Sequence, residues 1–243
     1  MFVSILIFFP RERKRFFAGN FHLNCLSILA ALCLLALQPA CSQEATLAEA
    51  ATPATTGTAA KQPVESELIV EGEGPFGHVH LFTSTWWSYL YTGGVEYDRH
   101  SWGNFIGARM DYVAEALPVV FLRQPASTDV WGDPLTQTKQ LVPGAALSPI
   151  GLRMMWRSKK SIKPYFLTKG GIIVFDKKAL SQEASYGNLL LQFSIGVQLR
   201  LTKRFDMRVG GGYMHFSDAF IVPSNPGLDI MSYNSGLSYH FGK

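Results

Sequence analysis

The sequence predicts an all-β chain: an eight-stranded antiparallel transmembrane β-barrel of the outer-membrane type. Three observations predict it. Period-two alternation dominates from residue 77 onward, the connections alternate between tight charged turns and long loops, and charged residues fall on the strand faces opposite the apolar stripes.

Taken in order, residues 1–42 read as a secretory signal. A basic cluster (Arg11, Arg13, Lys14, Arg15) precedes an apolar run from Cys25 to Leu37, with Ala40 and Ser42 at signal-peptidase spacing. That run is shorter than the roughly 20 residues a spanning helix needs. The apolar start MFVSILIFF lies upstream of the basic cluster and predicts that translation begins later. All three cysteines, Cys25, Cys33 and Cys41, sit in this segment, so the exported part has no disulfide framework to build. LQPAC makes a poor lipobox, because Gln38 and Pro39 stand where small and aliphatic residues belong, and Cys41 is expected to stay unlipidated.

Residues 43–66 are rich in Ala, Thr and Pro and lack aromatic residues, so they are expected to form a disordered tether. The barrel domain is expected over residues 67–243, with the folded unit starting near Ser66. At 47% hydrophobic and 16% charged residues the chain can bury a sizeable core in one main domain. Beyond residue 42, 18 basic side chains face 17 acidic ones, and this near-balance excludes an electrostatic footprint for nucleic acid. No internal repeat of solenoid period is visible.

Eight strands are expected near residues 77–84, 88–99, 108–122, 146–157, 162–176, 188–202, 204–218 and 229–241. The sixth is the cleanest: Leu189, Leu191, Phe193, Ile195, Val197, Leu199 and Leu201 share one parity, and Gln192, Ser194, Gly196, Gln198 and Arg200 share the other. One such strand would suit a soluble sandwich equally well. The set decides for a barrel. RSKKS and TKR are tight and charged, whereas 123–145, 177–187 and 219–228 are long and hold most of the Pro, Asp and Asn. Glu96, Asp98, Arg109, Asp111, Glu115, Arg153, Arg157, Asp206 and Arg208 fall opposite the apolar stripe, hence toward a narrow polar lumen that an eight-stranded barrel fills with its own side chains. A self-neutralising network is therefore expected there in preference to a conduit. Tyr89, Tyr91, Tyr97, Trp86, Trp87, Trp102 and Trp156 cluster near strand ends, as aromatic girdles do. Tyr239 and Phe241 alternate at the end of the last strand. A soluble barrel holding a lipid inside would need an apolar lumen, which the charged parity opposes.

GEGPFG (72–77) matches a dinucleotide-binding pattern but contains Pro75 and precedes the strand-like HVHLF, so no nucleotide site is expected. His78 and His80 lack a suitably spaced third ligand and read as strand-end histidines; no metal or cofactor is expected. Lys139, Lys177 and Lys178 read as solvated loop charge.

The chemistry concentrates on the last two strands. On the seventh, Phe205, Met207, Val209, Gly211, Tyr213, His215 and Ser217 share the apolar, outward parity, which leaves an imidazole and a hydroxyl on the greasy face. Residues two apart lie about 6.5–7 Å from one another along a strand, so the ring can reach the hydroxyl. Serine needs a base to take its proton, and histidine has the pKa for that exchange. Asp229 shares outward parity with Met231, Tyr233 and Leu237 on the next strand and can complete a Ser-His-acid set. From spacing alone two readings stand: polar residues among lipid headgroups, or a hydrolytic site. Ionisable groups on a lipid face are costly, which favours function.

HFSDA (215–219) and NPGLD (225–229), with the looser EALPVV run from Glu115 and PIGLRMMWRSKKSIKPYFLTKGGIIVFD from Pro149, resemble the outer-membrane lipid A 3-O-deacylases, acyloxyacyl-hydrolase-like eight-stranded barrels. The resemblance implies His215 as general base, Ser217 as nucleophile and Asp229 as orienting acid. It further implies a lipopolysaccharide substrate and an outer-membrane location. It leaves open a second copy of the chain as a homodimer partner. Two departures stand out: aspartate replaces the usual glutamate as third residue, and Asp218 replaces an asparagine associated with the oxyanion. A carboxylate donates only when protonated, so the Ala219 N–H is the remaining candidate donor. A catalytically degenerate barrel with a structural or surface-interaction role is the alternative.

Overall fold

The computed structural model describes residues 65–83 and 85–241. The expected signal segment, and the expected tether as far as residue 64, lie outside the described residues. Eight strands follow one another: β1 (Ser66–His78), β2 (Tyr89–Phe105), β3 (Ala108–Pro125), β4 (Lys139–Trp156), β5 (Ile162–Phe175), β6 (Gly187–Arg200), β7 (Phe205–Ser217) and β8 (Leu228–Phe241). Each pairs antiparallel with the next, and β1 pairs with β8 to close the barrel. Closure leaves no sheet edge, as the length alternation of the connections requires.

The first strand differs from expectation. It begins at Ser66 and ends at His78, taking in GEGPFG, and in the segment expected as strand 77–84 the described residues 79–83 are irregular, as are 85–88 beyond them. The cause is visible in the alternation of SELIVEGE: Leu68 and Val70 point out while Glu67, Ile69 and Glu71 are buried in the lumen. These acidic residues lie ahead of the first expected strand, but inside a closed sheet they meet cations. β4 likewise starts at Lys139, seven residues early, so the long loop shrinks to 126–138. A register shift between Leu147 and Ile150 switches which parity faces inward, from Ser148 to Arg153. Arg157 is a correction: it sits exposed in the β4–β5 turn at φ 55° with its carbonyl accepting from Lys160 N, and it does not enter the lumen.

The lumen has two zones. Toward the tight-turn end, Arg153 pairs with Glu67 (3.0 Å), Asp98 (2.5 Å) and Asp111 (2.7 Å), and Arg109 joins Glu67 and Asp111. Further along, Lys169 bonds Glu71, Glu96 and Glu115, while Arg208 bridges Glu71 and Glu96 at 2.6 Å each. Lys163 and Lys169 belong to this network although strand parity alone did not single them out. Toward the long loops the lumen turns apolar: Leu122, Val142, Ile173, Phe175, Phe216 and Leu228 pack in one cluster. Outside, Val70, Ile172, Ile195, Tyr233 and Leu237 are exposed, a surface suited to hydrocarbon and not to water.

Removing one member of a buried ion network strands the others without compensation. Arg153→Met is therefore expected to lower the unfolding free energy of the barrel in phospholipid vesicles by about 3–5 kcal/mol, read from its urea midpoint; an unchanged midpoint would show that the network adds nothing to stability.

Candidate active site

β7 and β8 deliver three side chains to one outward spot at the long-loop end. His215 and Asp229 are direct cross-strand partners, so their side chains rise from adjacent points of the same face. His215 Nδ1 donates to Asp229 Oδ1 at 2.7 Å. With that nitrogen carrying the proton, Nε2 accepts from the Ser217 hydroxyl at 3.1 Å. The shorter aspartate needs no help from a loop, because strand pairing already places it opposite the ring. His215 keeps 17% of its side chain accessible while Asp229 has none, so the carboxylate is sealed and the imidazole is reachable.

A buried carboxylate is costly unless its lone pairs are filled. Here five donors fill them. Oδ1 accepts from His215 and from the Tyr213 hydroxyl (2.7 Å), and Oδ2 accepts from the backbone N–H groups of Leu81 (2.9 Å), Phe82 (2.7 Å) and Thr83 (3.0 Å). Successive amides converging on one oxygen form an anion-holding nest. The β1–β2 loop is thereby fastened over the acid, and Phe82 packs edge-on against the imidazole with ring centroids 5.2 Å apart. Tyr213 could have been found in the sequence, since it lies two residues before His215 on the same parity. The loop amides could not, because backbone groups carry no residue identity.

The β7–β8 loop is equally constrained. Gly227 has φ 55°, and a Cβ there would lie 2.4 Å from Thr83 Cγ2 and 3.4 Å from Ser217 Cβ, so only glycine lets the chain pass between Ser217 and the β1–β2 loop. Thr85 donates to the Pro226 carbonyl (3.0 Å) and Ser224 to the Val130 carbonyl (2.7 Å), which joins this loop to two others.

Asp218 follows Ser217 directly at the end of β7. Its carboxylate is buried, Oδ1 accepts from Phe220 N at 2.9 Å, and Oδ2 has no partner among the described residues. Burial pushes its carboxyl above the ordinary carboxylate range, with the Phe220 N–H pulling the other way. The turn it closes holds Ala219 and Phe220 at φ 53° and 62°. Three nearby amides are committed: Asp218 N to Asn225 Oδ1, Phe220 N to Asp218 Oδ1 and Ile221 N to the Asp218 carbonyl. The Ala219 N–H meets no acceptor among the described residues.

His78 Nε2 donates to the Ser88 carbonyl (2.6 Å) and His80 Nδ1 to the Thr83 carbonyl (3.2 Å), so both rings brace the β1–β2 loop. Two lumen groups have metal-ligand spacing, Glu65 with Glu67 and His240, and Glu71 with Glu96 and Glu115. Protein cations already serve both: Lys169 bonds all three glutamates of the second, and Arg109 pairs with both glutamates of the first.

If Asp229 is what fastens the loop, Asp229→Ala releases three charge-assisted hydrogen bonds. Amide exchange at Leu81–Thr83 is then expected to accelerate by more than about tenfold, followed by mass spectrometry or NMR in micelles. Unchanged exchange would mean that other contacts hold the loop.

Comparison with known proteins places the chain. The family model described as lipid A 3-O-deacylase (PagL) matches residues 77–238. No curated protein sequence matches. Among solved structures, the crystal structure of the outer membrane enzyme PagL aligns with a TM-score of 0.45 at 15% identity, covering 72% of this chain and 98% of that one. The outer membrane protein OprG from Pseudomonas aeruginosa aligns with a TM-score of 0.46 at 12% identity, covering 75% and 98%. Both likenesses are of strand layout. On its sequence match, this eight-stranded barrel belongs to the lipid A 3-O-deacylase (PagL) family.

Proposed function

We propose that the protein is an outer-membrane serine esterase that removes an ester-linked 3-O-acyl chain from lipid A of lipopolysaccharide, through the set Ser217, His215 and Asp229. The observation that carries this reading is the unbroken relay on the outward face, Ser217 Oγ to His215 Nε2 at 3.1 Å and His215 Nδ1 to Asp229 at 2.7 Å. An outward site suits a substrate that is itself a membrane lipid. The apolar band would lie in the bilayer, the long loops would face the exterior, and the catalytic rim would meet the outer leaflet. Export through the N-terminal signal is part of the same reading.

In the proposed reaction Ser217 Oγ attacks the acyl carbonyl carbon while its proton passes to His215 Nε2. Asp229 holds the ring and stabilises the imidazolium, remaining ionised itself because five donors saturate it. The carbonyl oxygen becomes an oxyanion, for which the uncommitted Ala219 N–H is the available donor. Collapse breaks the bond to the sugar oxygen, which takes the proton back from Nε2 and leaves an acyl-Ser217 ester. Water, deprotonated by the same nitrogen, then releases the fatty acid and restores the hydroxyl. Nucleophile, base and acid all come from this chain's own side chains.

Incubating the detergent-solubilised protein with lipopolysaccharide is expected to lower the lipid A mass by one hydroxyacyl unit, with the loss abolished in Ser217→Ala and His215→Ala. An unchanged mass with wild type would favour the alternative, a barrel with a degenerate site acting structurally or in surface interaction. Asp218→Asn keeps an acceptor for Phe220 N and replaces the unpartnered oxygen with a donor. It is expected to raise the deacylation rate, by up to about a hundredfold if the new N–H reaches the oxyanion; a fall in rate would reject that assignment.

A further inference from the structure

Arg123 and Lys139 occupy neighbouring outward positions at the long-loop end of β3 and β4. In the register Arg123 faces Leu141 and Lys139 faces Pro125, which makes the two cations diagonal neighbours roughly 7–8 Å apart. Arg123 is exposed, and Lys139 is half-buried with its ammonium donating to the Trp87 carbonyl. The two charges repel one another, and among the described residues neither pairs with a carboxylate. Two adjacent outward cations with no acid between them can share one external anion, which neither could hold as well alone.

The surroundings say where that anion sits. On the next rung down, Phe121 pairs with Tyr91, both exposed and outward, and Trp87 adds a half-exposed ring above. Aromatic rings of this kind mark the boundary between hydrocarbon and headgroups, which puts the cations at headgroup level. Two Lys139 N–H donors remain after the bond to Trp87, and Arg123 offers a planar fork; that combination suits a phosphate monoester. The site also connects to the reacting centre. The β1–β2 loop is held at one end by Asp229 and at the other by Lys139 through Trp87. Arg123 lies three strand spacings from β8, roughly 14 Å along the barrel wall.

We propose that Arg123 and Lys139, above the Tyr91–Phe121 rung, bind a phosphate group on the headgroup of the lipid substrate, gripping a part of it that does not react. This rests on the reading of the chain as a lipid A deacylase and assigns a grip on the headgroup that the relay itself does not supply. Binding remote from the reacting bond raises effective affinity and leaves the chemical step to Ser217.

The test uses the full-length protein in detergent micelles with two substrates, phosphorylated lipid A and the same lipid A after phosphatase treatment. For the double variant Arg123→Gln/Lys139→Gln, KM for phosphorylated lipid A is expected to rise about tenfold or more with kcat little changed. KM for the dephosphorylated lipid should stay at the wild-type value. Lys177→Gln/Lys178→Gln, which removes the same charge from the β5–β6 loop, should behave as wild type. The same contrast is expected in binding of the two lipids by Ser217→Ala, followed by tryptophan fluorescence, a readout independent of turnover. An equal KM rise on both lipids, or none on the phosphorylated one, overturns the site. Competition by millimolar inorganic phosphate would assign the pair to free phosphate and overturn the headgroup grip. If wild type turns over neither lipid the deacylase reading fails, and the binding contrast still decides whether the pair recognises lipid phosphate.

Discussion

A closed sheet of eight strands leaves a lumen only as wide as the side chains that fill it. Charges that strand alternation sends inward are therefore held mainly by counter-charges there, with little water to dilute a mismatch. Arg153, Lys169 and Arg208 each engage two or more carboxylates and cross the lumen to distant strands, from β4 to β1 or from β7 to β2. Such pairs are weak evidence of net stability, but each is strongly specific, since a one-residue slip in register would turn a whole set of charges toward lipid. The apolar plug of Phe175, Phe216 and Leu228 then closes the lumen beneath the loops. With the interior filled, a reactive site has to lie on the outer wall or in the loops.

The outer wall is a poor place for a carboxylate, and Asp229 shows how one is kept there. Burial removes its water; Tyr213, His215 and three successive loop amides replace it. The same contacts do two structural jobs. They fix the imidazole in one tautomer and orientation, and they fasten the β1–β2 loop so that Phe82 covers one edge of the ring. Preorganised donors of this kind do not have to reorganise when charge develops on the histidine. The loop network extends further through Thr85 to Pro226 and through Ser224 to Val130, so the loops around Ser217 hold one another.

The β7–β8 connection carries local strain at two successive residues. Ala219 and Phe220 both sit at positive φ, a region that side chains with a Cβ seldom adopt. Asp218 and Asn225 hold them there through side-chain hydrogen bonds to the backbone. The arrangement commits the amides of Asp218, Phe220 and Ile221, while that of Ala219, immediately beyond the strand that ends in Ser217, meets no acceptor among the described residues.

The sequence by itself determined the alternation, and with it the barrel, the outward parity of His215, Ser217 and Asp229, and the inward parity of Glu96, Asp111 and Arg208. Alternation is a local property, since successive residues of any strand must point to opposite faces. Tertiary structure decided what depends on partners far along the chain. Glu67 and Glu71 lie ahead of the first expected strand, and their partners appear only when β1 sits between β2 and β8, where Arg153, Lys169 and Arg208 neutralise them. Arg157 has the right parity but falls in a turn, and the register shift at Leu147 decides which face of β4 turns inward. Asp229 needed the register of β7 on β8 to reach the ring directly, and its nest is made of backbone amides from residues almost 150 positions earlier in the chain. Those amides belong to every residue alike, so only the folded chain brings them to one oxygen.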